Sequence, residues 1–199
     1  MLLSRAKKAT RLRLAIAILL GCVLTLAACS THSQRLVVPR QAFYTNDLPQ
    51  AQTQLAKLAA KGGGDAQVVE LDLAIVDLIQ GNPGGAEQRL RAVRDQFDHL
   101  EQKSLAEASL SLMTDDRRRA YSGEDYEKLL IHVFLSLASL MQDGVDAESY
   151  ALQALDKHEQ LRIAAQERWG ESISESYCVP AIAPYLRGLM SEASMNSYD

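Results

Sequence analysis

The chain is poor in aromatic residues, in proline and in cysteine. Its 199 residues include one Trp, three Phe and seven Tyr, with five Pro and three Cys. Strands are enriched in aromatic and β-branched side chains, whereas Ala, Leu and Gln, which are abundant here, favour helices. The composition therefore predicts an all-α protein.

Sequence motifs that carry chemistry are also lacking. The chain has no G-x-S-x-G motif, no H-E-x-x-H motif and no second His or Cys four residues after His132. The glycine run at residues 62–64 lacks the Gly-Lys-Ser/Thr ending of a phosphate-binding loop, and we interpret it as a link between helices. No catalytic residue can be nominated, and we predict a protein that is not an enzyme and that holds no metal and no cofactor.

The first 28 residues have the layout of an export signal. Five basic residues precede the apolar run at residues 14–26, and residues 1–28 contain no acidic residue. That run has the length of the hydrophobic region of a secretory signal, and it is shorter than the roughly 20 residues of a transmembrane helix. We predict a signal peptide over residues 1–28, with a retained membrane anchor as the less favoured alternative.

The signal ends in Leu-Ala-Ala-Cys at residues 26–29, which resembles the lipoprotein box of exported bacterial proteins. The resemblance implies that a peptidase cuts before Cys29 and that the Cys29 thiol carries a diacylglyceryl group. An ordinary signal peptide that happens to contain a cysteine is the alternative. Ser30 after the lipidated position is compatible with export to the outer membrane. We predict this location, with the chain facing the periplasm.

Removal of residues 1–28 changes the charge balance. They hold five of the 21 Lys and Arg residues and none of the 25 Asp and Glu residues, which leaves 16 basic and 25 acidic side chains and a net charge of −9. A net acidic protein is a poor electrostatic partner for nucleic acid, so we predict no nucleic-acid binding. Cys178 is then the one thiol besides Cys29, and we predict that it is buried and unpaired, with a reactive thiol or an intermolecular disulfide as the alternative.

Residues 41–199 show helical periodicity, interrupted by turns that recur. Three turns rich in Gly, Asn, Asp or Pro are each followed by a small residue, namely Ala51, Ala86 and Ala147. Such turns end one helix and start the next, and a small side chain lets two helices approach closely. The widest apolar stripe, at residues 130–141, is expected to pack on two sides. Another stripe comprises Leu71, Ala74, Ile75, Leu78 and Ile79.

These units resemble the tetratricopeptide repeat, a helix-turn-helix of about 34 residues. The alanines of the first two units are 35 residues apart, whereas those of the second and third are 61 residues apart. The resemblance implies antiparallel helical hairpins stacked as an irregular tetratricopeptide-like solenoid over residues 41–199, and a plain irregular bundle is the alternative. Residues 29–40, polar and then β-rich, are predicted to tether this domain to the lipid.

The segment at residues 121–128 reads Tyr-Ser-Gly-Glu-Asp-Tyr-Glu-Lys and leads into the widest apolar stripe. It resembles a run in a family of uncharacterised bacterial lipoproteins with tetratricopeptide-like repeats, and residues 177–190 are similar to the start of a later repeat in that family. The resemblance covers residues 40–199 and carries over no catalytic residue. Members of that family continue past the position of Asp199, which makes a C-terminally truncated member one interpretation of this chain.

The same segment holds the densest group of polar side chains outside the helix faces. Three of them are candidate contacts to a partner protein: Tyr121, Glu124 and Tyr126. The simpler interpretation is structural, with Ser122 as the N-cap of the next helix and acidic residues in its first turn. A third interpretation makes Glu124, Asp125 or His132 catalytic groups. The basic run at residues 117–119 is interpreted as a solvated loop, with a contact to an anionic polymer or acidic partner as the alternative.

The last helix is predicted over residues 184–195, and no second helix follows to complete its hairpin. An amphipathic helix without a neighbour leaves its apolar face exposed. We therefore predict partner contacts at Tyr185, Leu186 and Leu189.

The sequence thus favours an outer-membrane-anchored periplasmic lipoprotein that acts as an adaptor and binds an envelope protein through helical repeats. A lipid anchor would hold the protein at a membrane surface and raise its effective concentration for partners there. Two alternatives stay open. One is an envelope enzyme acting on glycan or lipid with carboxylates near Glu124, and the other is a truncated fragment without function.

Overall fold

The computed structural model describes residues 32–109, 121–170 and 181–193, and the secondary structure within them is helical throughout. The chain divides into two compact units, Met1–Val38 and Pro39–Asp199. Helix α1 (His32–Tyr44) contains the division, and residues 32–38 are the part of the first unit that is described. The helices of the second unit are α2 (Leu48–Lys61), α3 (Ala66–Ile79), α4 (Pro83–Ser109), α5 (Asp125–Leu140), α6 (Ala147–Trp169) and α7 (Ile182–Ala193).

Helices that are neighbours in sequence also pack against each other in the second unit. Contacts join α2 to α3, α3 to α4, α4 to α5, α5 to α6 and α6 to α7, and α7 also reaches α5. Short turns join α3 to α4 and α5 to α6, so the two members of each of these pairs run in opposite directions. The predicted all-α fold with stacked, repeat-like helices is therefore confirmed.

The three turns that the sequence singles out each hold a residue in the left-handed backbone region. These residues are Asn46 at φ 61°, Gly81 at φ 77° and Gly144 at φ 74°. Gly and Asn adopt this conformation with the least strain, which is why they end helices. The small residues that follow the turns are all fully buried: Ala51, Ala86 and Ala147. A larger side chain at these positions would have no free space around it.

Helix α5 packs against α4, α6 and α7 and has two buried faces, as predicted, although Leu140 and Met141 at the end of the predicted stripe are exposed. Its Ile131 and Leu135 belong to a core cluster with α4 that includes Leu90, Val93 and Phe97. Its Leu129 and Val133 belong to a second cluster, shared with α6 and α7, that includes Ala151, Ala154, Ala183 and Leu186. Burial on two faces explains why this helix is apolar over more of its circumference than α4 or α6.

Two local expectations are wrong. Residues 32–44 are helical, although the sequence predicts a polar, β-rich tether up to residue 40. Burial of Ala42 and the hydrogen bond from Thr45 to the carbonyl of Gln41 after the end of α1 stabilise a helix, and such contacts override the strand preference of two valines. In α3, Ile79 of the predicted stripe is exposed, whereas Leu73 and Val76 are buried. Ala74 of the predicted stripe is fully buried, and Leu71 and Leu78 pack against the core, so the buried surface of α3 is wider than predicted and leaves out only the last residue of the stripe.

Several predicted features lie outside the described residues. They are the signal peptide at residues 1–28, the lipidation site Cys29, the basic run at residues 117–119 and Cys178. These assignments, like the tether role of residues 29–40, stay predictions.

Candidate functional site

The polar segment before α5 is fixed by contacts within itself. The Tyr121 hydroxyl donates a hydrogen bond to Oε2 of Glu127, and the same oxygen accepts the backbone N–H of Glu124 at 2.9 Å. Helix α5 begins at Asp125 with Glu124 in the N-cap position. Ser122 is therefore not the N-cap, because the chain enters the helix two residues later than predicted. The expectation of acidic residues in the first turn, where the helix dipole favours them, is correct.

Tyr121 and Tyr126 have opposite environments. The Tyr121 ring packs edge-on against the ring of Phe97, with centroids 6.0 Å apart and planes at 75°. Its backbone N–H donates to the carbonyl of Gly64 at 3.4 Å. Burial raises the pKa of the Tyr121 hydroxyl, and the hydrogen bond to Glu127 raises it further. Tyr121 therefore joins α4, the 62–64 link and α5, whereas Tyr126 is exposed to solvent.

The predicted contacts on α7 also differ in exposure. Leu186 is buried with Ala183 against α5 and α6, so the prediction that Leu186 contacts a partner is wrong for this arrangement. The small side chains of Ala151 and Ala154 on α6 leave the space that Leu186 fills. The flank of the helix next to this buried face carries an exposed apolar row, the α7 stripe, which consists of Ile182, Tyr185 and Leu189 at 38%, 63% and 43% exposure.

A polar groove of about 790 Å³ lies between α4 and α6, and His132 of α5 is one of its lining residues. We refer to it as the α4–α6 groove. Its lining side chains are all polar or charged. The charged members are Arg94, Asp95, Asp98, Glu101, Asp156 and Lys157. Four carboxylates against two cations give the groove an acidic excess.

His132 is 5% exposed, and its Nδ1 atom has no hydrogen-bond partner in the part of the chain that the structure describes. Burial lowers the pKa of the imidazole to about 4, and the positive charges of Lys157 and Arg94 act in the same direction. Asp98 and a hydrogen bond with Gln153 oppose the change but are weaker. The ring is therefore neutral near pH 7, with one nitrogen as donor and the other as acceptor.

Lys157 is an ammonium group held inside this groove. Its Nζ lies 3.1 Å from Oδ1 of Asp98 and 3.5 Å from Oε2 of Glu101, both on the opposite wall. The other carboxylate oxygen of Glu101 is 3.6 Å from Nζ of Lys128. The side chains of Lys157 and Lys128 are 13% and 12% exposed. Carboxylates of α4 thus bind partly desolvated ammonium groups that project from α5 and α6.

The carboxylates that the sequence offers as possible catalytic groups do not lie beside His132. Glu124 and Asp125 begin α5, and eight residues of helix from Glu124 to His132 correspond to a rise of about 12 Å. The Asp125 carboxylate instead lies 3.8 Å from Nζ of Lys128, one turn along the helix. The structure therefore does not assemble Glu124, Asp125 and His132 into one site.

A buried carboxylate that the sequence analysis missed joins three helices. Asp77 of α3 is 2% exposed and accepts hydrogen bonds from Nε of Arg89 at 2.9 Å, from Gln52 at 3.2 Å and from Asn82 at 3.3 Å. Arg89 also contacts Glu70 at 2.5 Å. The available signal was an acidic residue inside the apolar stretch of α3 with an arginine twelve positions later. The saturated partners of Asp77 indicate a structural role.

A second network joins α4 to α6 through Tyr150. Its hydroxyl accepts Nε–H of Arg91 at 2.6 Å and donates to Oε1 of Glu87 at 2.9 Å, while Arg91 also reaches Asp146 at 3.0 Å. Burial acts to raise the pKa of Glu87, but hydrogen bonds from Gln142 and Tyr150 outweigh it and hold the pKa below its ordinary value. These contacts fix one end of the α4–α6 pair.

Metal-ligating side chains do not cluster in the ranges that the structure describes: no three His, Cys, Asp or Glu residues there are arranged to hold an ion. Within those same ranges, no helix combines the length and the apolar character needed to cross a membrane. A scan against protein-family models, a search of curated proteins and a search of solved structures find no match to this chain.

Proposed function

We propose that this protein is a lipid-anchored adaptor of the bacterial outer membrane that binds an envelope protein through the exposed apolar flank of α7. The α7 stripe is the observation that carries the proposal. Ile182, Tyr185 and Leu189 are spaced three and four residues apart, so they lie on one face of the helix, and each exposes more than a third of its surface. An apolar row of this kind with an aromatic member is typical of a surface that binds another protein.

The packing of the stack favours a helix as the bound element. Helix α3 lies between α2 and α4, and α5 lies between α4 and α6. The inner side of α7 packs on α6 and α5 in the same way, through Ala183 and Leu186. A further helix placed as the next member of the stack would cover Ile182, Tyr185 and Leu189. We therefore propose that the partner supplies an amphipathic helix, whose anchors occupy i, i+3 or i+4 positions.

The lipid anchor is proposed from the sequence around Cys29. Acyl chains on Cys29 would restrict the protein to a membrane surface, where the effective concentration of a membrane-bound partner is high. The net charge of −9 for the chain after residue 28 supports a protein partner over an anionic lipid surface.

Site-specific photocrosslinking in the native bacterium tests the adaptor proposal. In the full-length lipidated protein, a photocrosslinking amino acid replaces Tyr185. In the control it replaces Val145, an exposed residue in the turn between α5 and α6. We expect a discrete adduct from position 185 whose crosslinked peptide lies in an amphipathic helix of one envelope protein. Leu189→Lys in the same chain should remove that adduct, because a charge in a dry helix contact is left unpaired.

Two results would contradict the adaptor proposal. One is an identical set of adducts from positions 185 and 145, which indicates random collision. The other is a discrete adduct whose yield is unchanged by Leu189→Lys in protein that unfolds at the wild-type temperature.

The anchor is tested by Cys29→Ala. Metabolic labelling with a fatty-acid analogue should label the wild-type chain and leave the variant unlabelled, with the Tyr185 adduct reduced because the variant is no longer concentrated at the membrane. Labelling of Cys29→Ala at the wild-type level would overturn the lipidation proposal without affecting the proposed role of α7.

A further inference from the structure

Helix α7 contains a glycine that neither its backbone nor its packing requires. Gly188 lies inside the helix in helical conformation, and a Cβ atom on it would meet nothing within 4 Å. Gly84 and Gly85, the other glycines within the described helices, have no such space, because a Cβ atom there would meet Gln142 or Asn82. A glycine inside a helix is less favourable than alanine, since it loses more backbone freedom on folding. The fold of this chain alone therefore gains nothing from a glycine at position 188.

Gly188 borders the α7 stripe. It follows Tyr185 by three residues and precedes Leu189 by one, and both of these side chains are exposed. The face of α7 that α5 and α6 cover carries Ala183 and Leu186 instead. The missing side chain at Gly188 therefore leaves a notch beside two exposed apolar residues, where the backbone of another element can approach closely.

Two helix pairs of the same chain have a small buried residue at the corresponding position of their first helix. Ala74 of α3 and Ser136 of α5 are both 0% exposed. They lie five and four residues before the ends of their helices, and Gly188 lies five residues before the end of α7. Ala74 shares a core cluster with Ala86 of α4, and Oγ of Ser136 donates a hydrogen bond to the carbonyl of Ala147 of α6 at 2.8 Å. In both pairs, a small residue in the first turn of the second helix is thus buried together with the small residue of the first helix.

A helix is the occupant that continues the interfaces already present in the stack. Helices α3 and α5 are each followed by a second helix that runs in the opposite direction and packs on them, whereas α7 has no such second helix in the described residues. We propose that an amphipathic helix of the envelope partner crosses α7 at Gly188, runs opposite to α7, and places a small residue of its first turn against Gly188. The source of this helix rests on the adaptor proposal. The contact at Gly188 adds the direction of the bound helix and a requirement on its sequence.

A helix of known sequence, attached to the protein itself, tests this contact without the native partner. The full-length lipidated chain is extended after Asp199 by a flexible Gly-Ser linker and a second copy of residues 81–100, the segment whose Ala86 is buried in the cluster with Ala74. The tether gives the copy a high effective concentration at α7, where it can cover the α7 stripe. In neutral detergent, we expect the extended chain to unfold about 4 °C above the wild type.

Matched variants show whether the gain depends on Gly188. Gly188→Met in the extended chain should remove the gain, because the new side chain fills the notch. The same substitution in the unextended chain should change the unfolding temperature by no more than about 1 °C, since no atom lies near the added side chain. Ala164→Met adds a similar side chain at an exposed position of α6 and should keep the gain. An extended chain that is no more stable than the wild type, or a gain that survives Gly188→Met, overturns the inference.

Photocrosslinking from position 185 in the native bacterium connects this contact to the partner. Gly188→Met should lower the yield of the adduct about tenfold, whereas Ala164→Met should leave it within about twofold. The crosslinked peptide should lie near a Gly, Ala or Ser in the first turn of a partner helix. An adduct that Leu189→Lys removes and Gly188→Met retains overturns the inference and leaves the adaptor proposal standing. A wild type without an adduct contradicts the adaptor proposal, and the extended chain then still decides whether α7 accepts a helix at Gly188.

Discussion

The backbone at Gly123 lies so close to the ring of Phe97 that a Cβ atom on Gly123 would be 2.4 Å from Cε2 of that ring. Phe97 is 1% exposed and belongs to the core cluster shared by α4 and α5. Gly123 also has φ +81°, a conformation that other residues adopt with strain. The glycine therefore lets the chain turn into α5 directly over a core aromatic ring.

Gly123→Ala should destabilise the protein by about 3 kcal/mol, because the new methyl group must displace a buried ring and the backbone strain adds to this cost. Denaturation in urea, followed by circular dichroism, measures the change. Gly188→Ala is the matched control, since its Cβ meets no atom within 4 Å and the position lies inside α7. That variant should be as stable as the wild type or more stable by about 0.5 kcal/mol. Equal stability of the two variants would show that the Phe97 ring can move away from the new methyl group without loss of stability.

Arg89→Met should cost about 3 kcal/mol, because it leaves the buried carboxylate of Asp77 without its cation. The double variant Asp77→Asn with Arg89→Met should recover much of this loss, since the amide carries no charge and its oxygen can still accept from Gln52. Unfolding free energies of the wild type, both single variants and the double variant form a mutant cycle. Arg162→Met, which breaks an exposed pair with Glu159, is the control and should change little. If the effects of the two substitutions on the unfolding free energy are additive, Asp77 and Arg89 are not energetically coupled.

The sequence predicts the helices and their turns because both depend on local chemistry. Asn46, Gly81 and Gly144 end helices through their backbone preference, and this preference acts whatever the rest of the fold does. The buried face of α3 was predicted less well. Ile79 continues the apolar spacing but is exposed, because which side of a helix is covered depends on how its neighbours pack.

The polar groups were harder to predict because their partners lie far apart in the chain. Lys157 and Asp98 are 59 positions apart, and nothing in either local sequence indicates that they meet. The spacing around His132 excludes a metal motif but does not predict its burial or its unpartnered Nδ1. The opposite error occurred at Leu186, where a local amphipathic pattern suggested exposure and contacts from α5 and α6 bury the side chain.

Tyr150→Phe should destabilise the protein by about 1.5 kcal/mol, because the buried hydroxyl both accepts from Arg91 and donates to Glu87. The ring itself stays, so packing is unchanged. Thermal unfolding compares this variant with Tyr44→Phe, in which the lost hydroxyl is at an exposed position and the stability should stay as in the wild type. A Tyr150→Phe protein as stable as Tyr44→Phe would show that the α4–α6 contact does not depend on this network.

The low pKa of His132 predicts a loss of stability in mild acid. The imidazole has a pKa of about 4 in the folded protein and about 6.5 when unfolded. Between these values the unfolded chain binds a proton that the folded chain does not, so the free energy of unfolding falls as the pH drops from about 6.5 to about 4. The total loss is about 3 kcal/mol. Charged groups that face the ring or line the groove include Arg94, Asp95, Asp98, Glu101, Asp156 and Lys157.

Urea denaturation measures this contribution as the difference in unfolding free energy between the wild type and His132→Leu. Measurements at about pH 7.0, 5.5 and 4.5 span the predicted window. The wild type should lose stability relative to His132→Leu at each step, since the variant has no imidazole to protonate at that position. Carboxylates such as Glu87 titrate in both proteins and cancel in the comparison. His99→Gln, at an exposed position of α4, should keep the wild-type slope. A parallel pH dependence in wild type and His132→Leu would show that the ring at His132 is already accessible to protons in the folded protein.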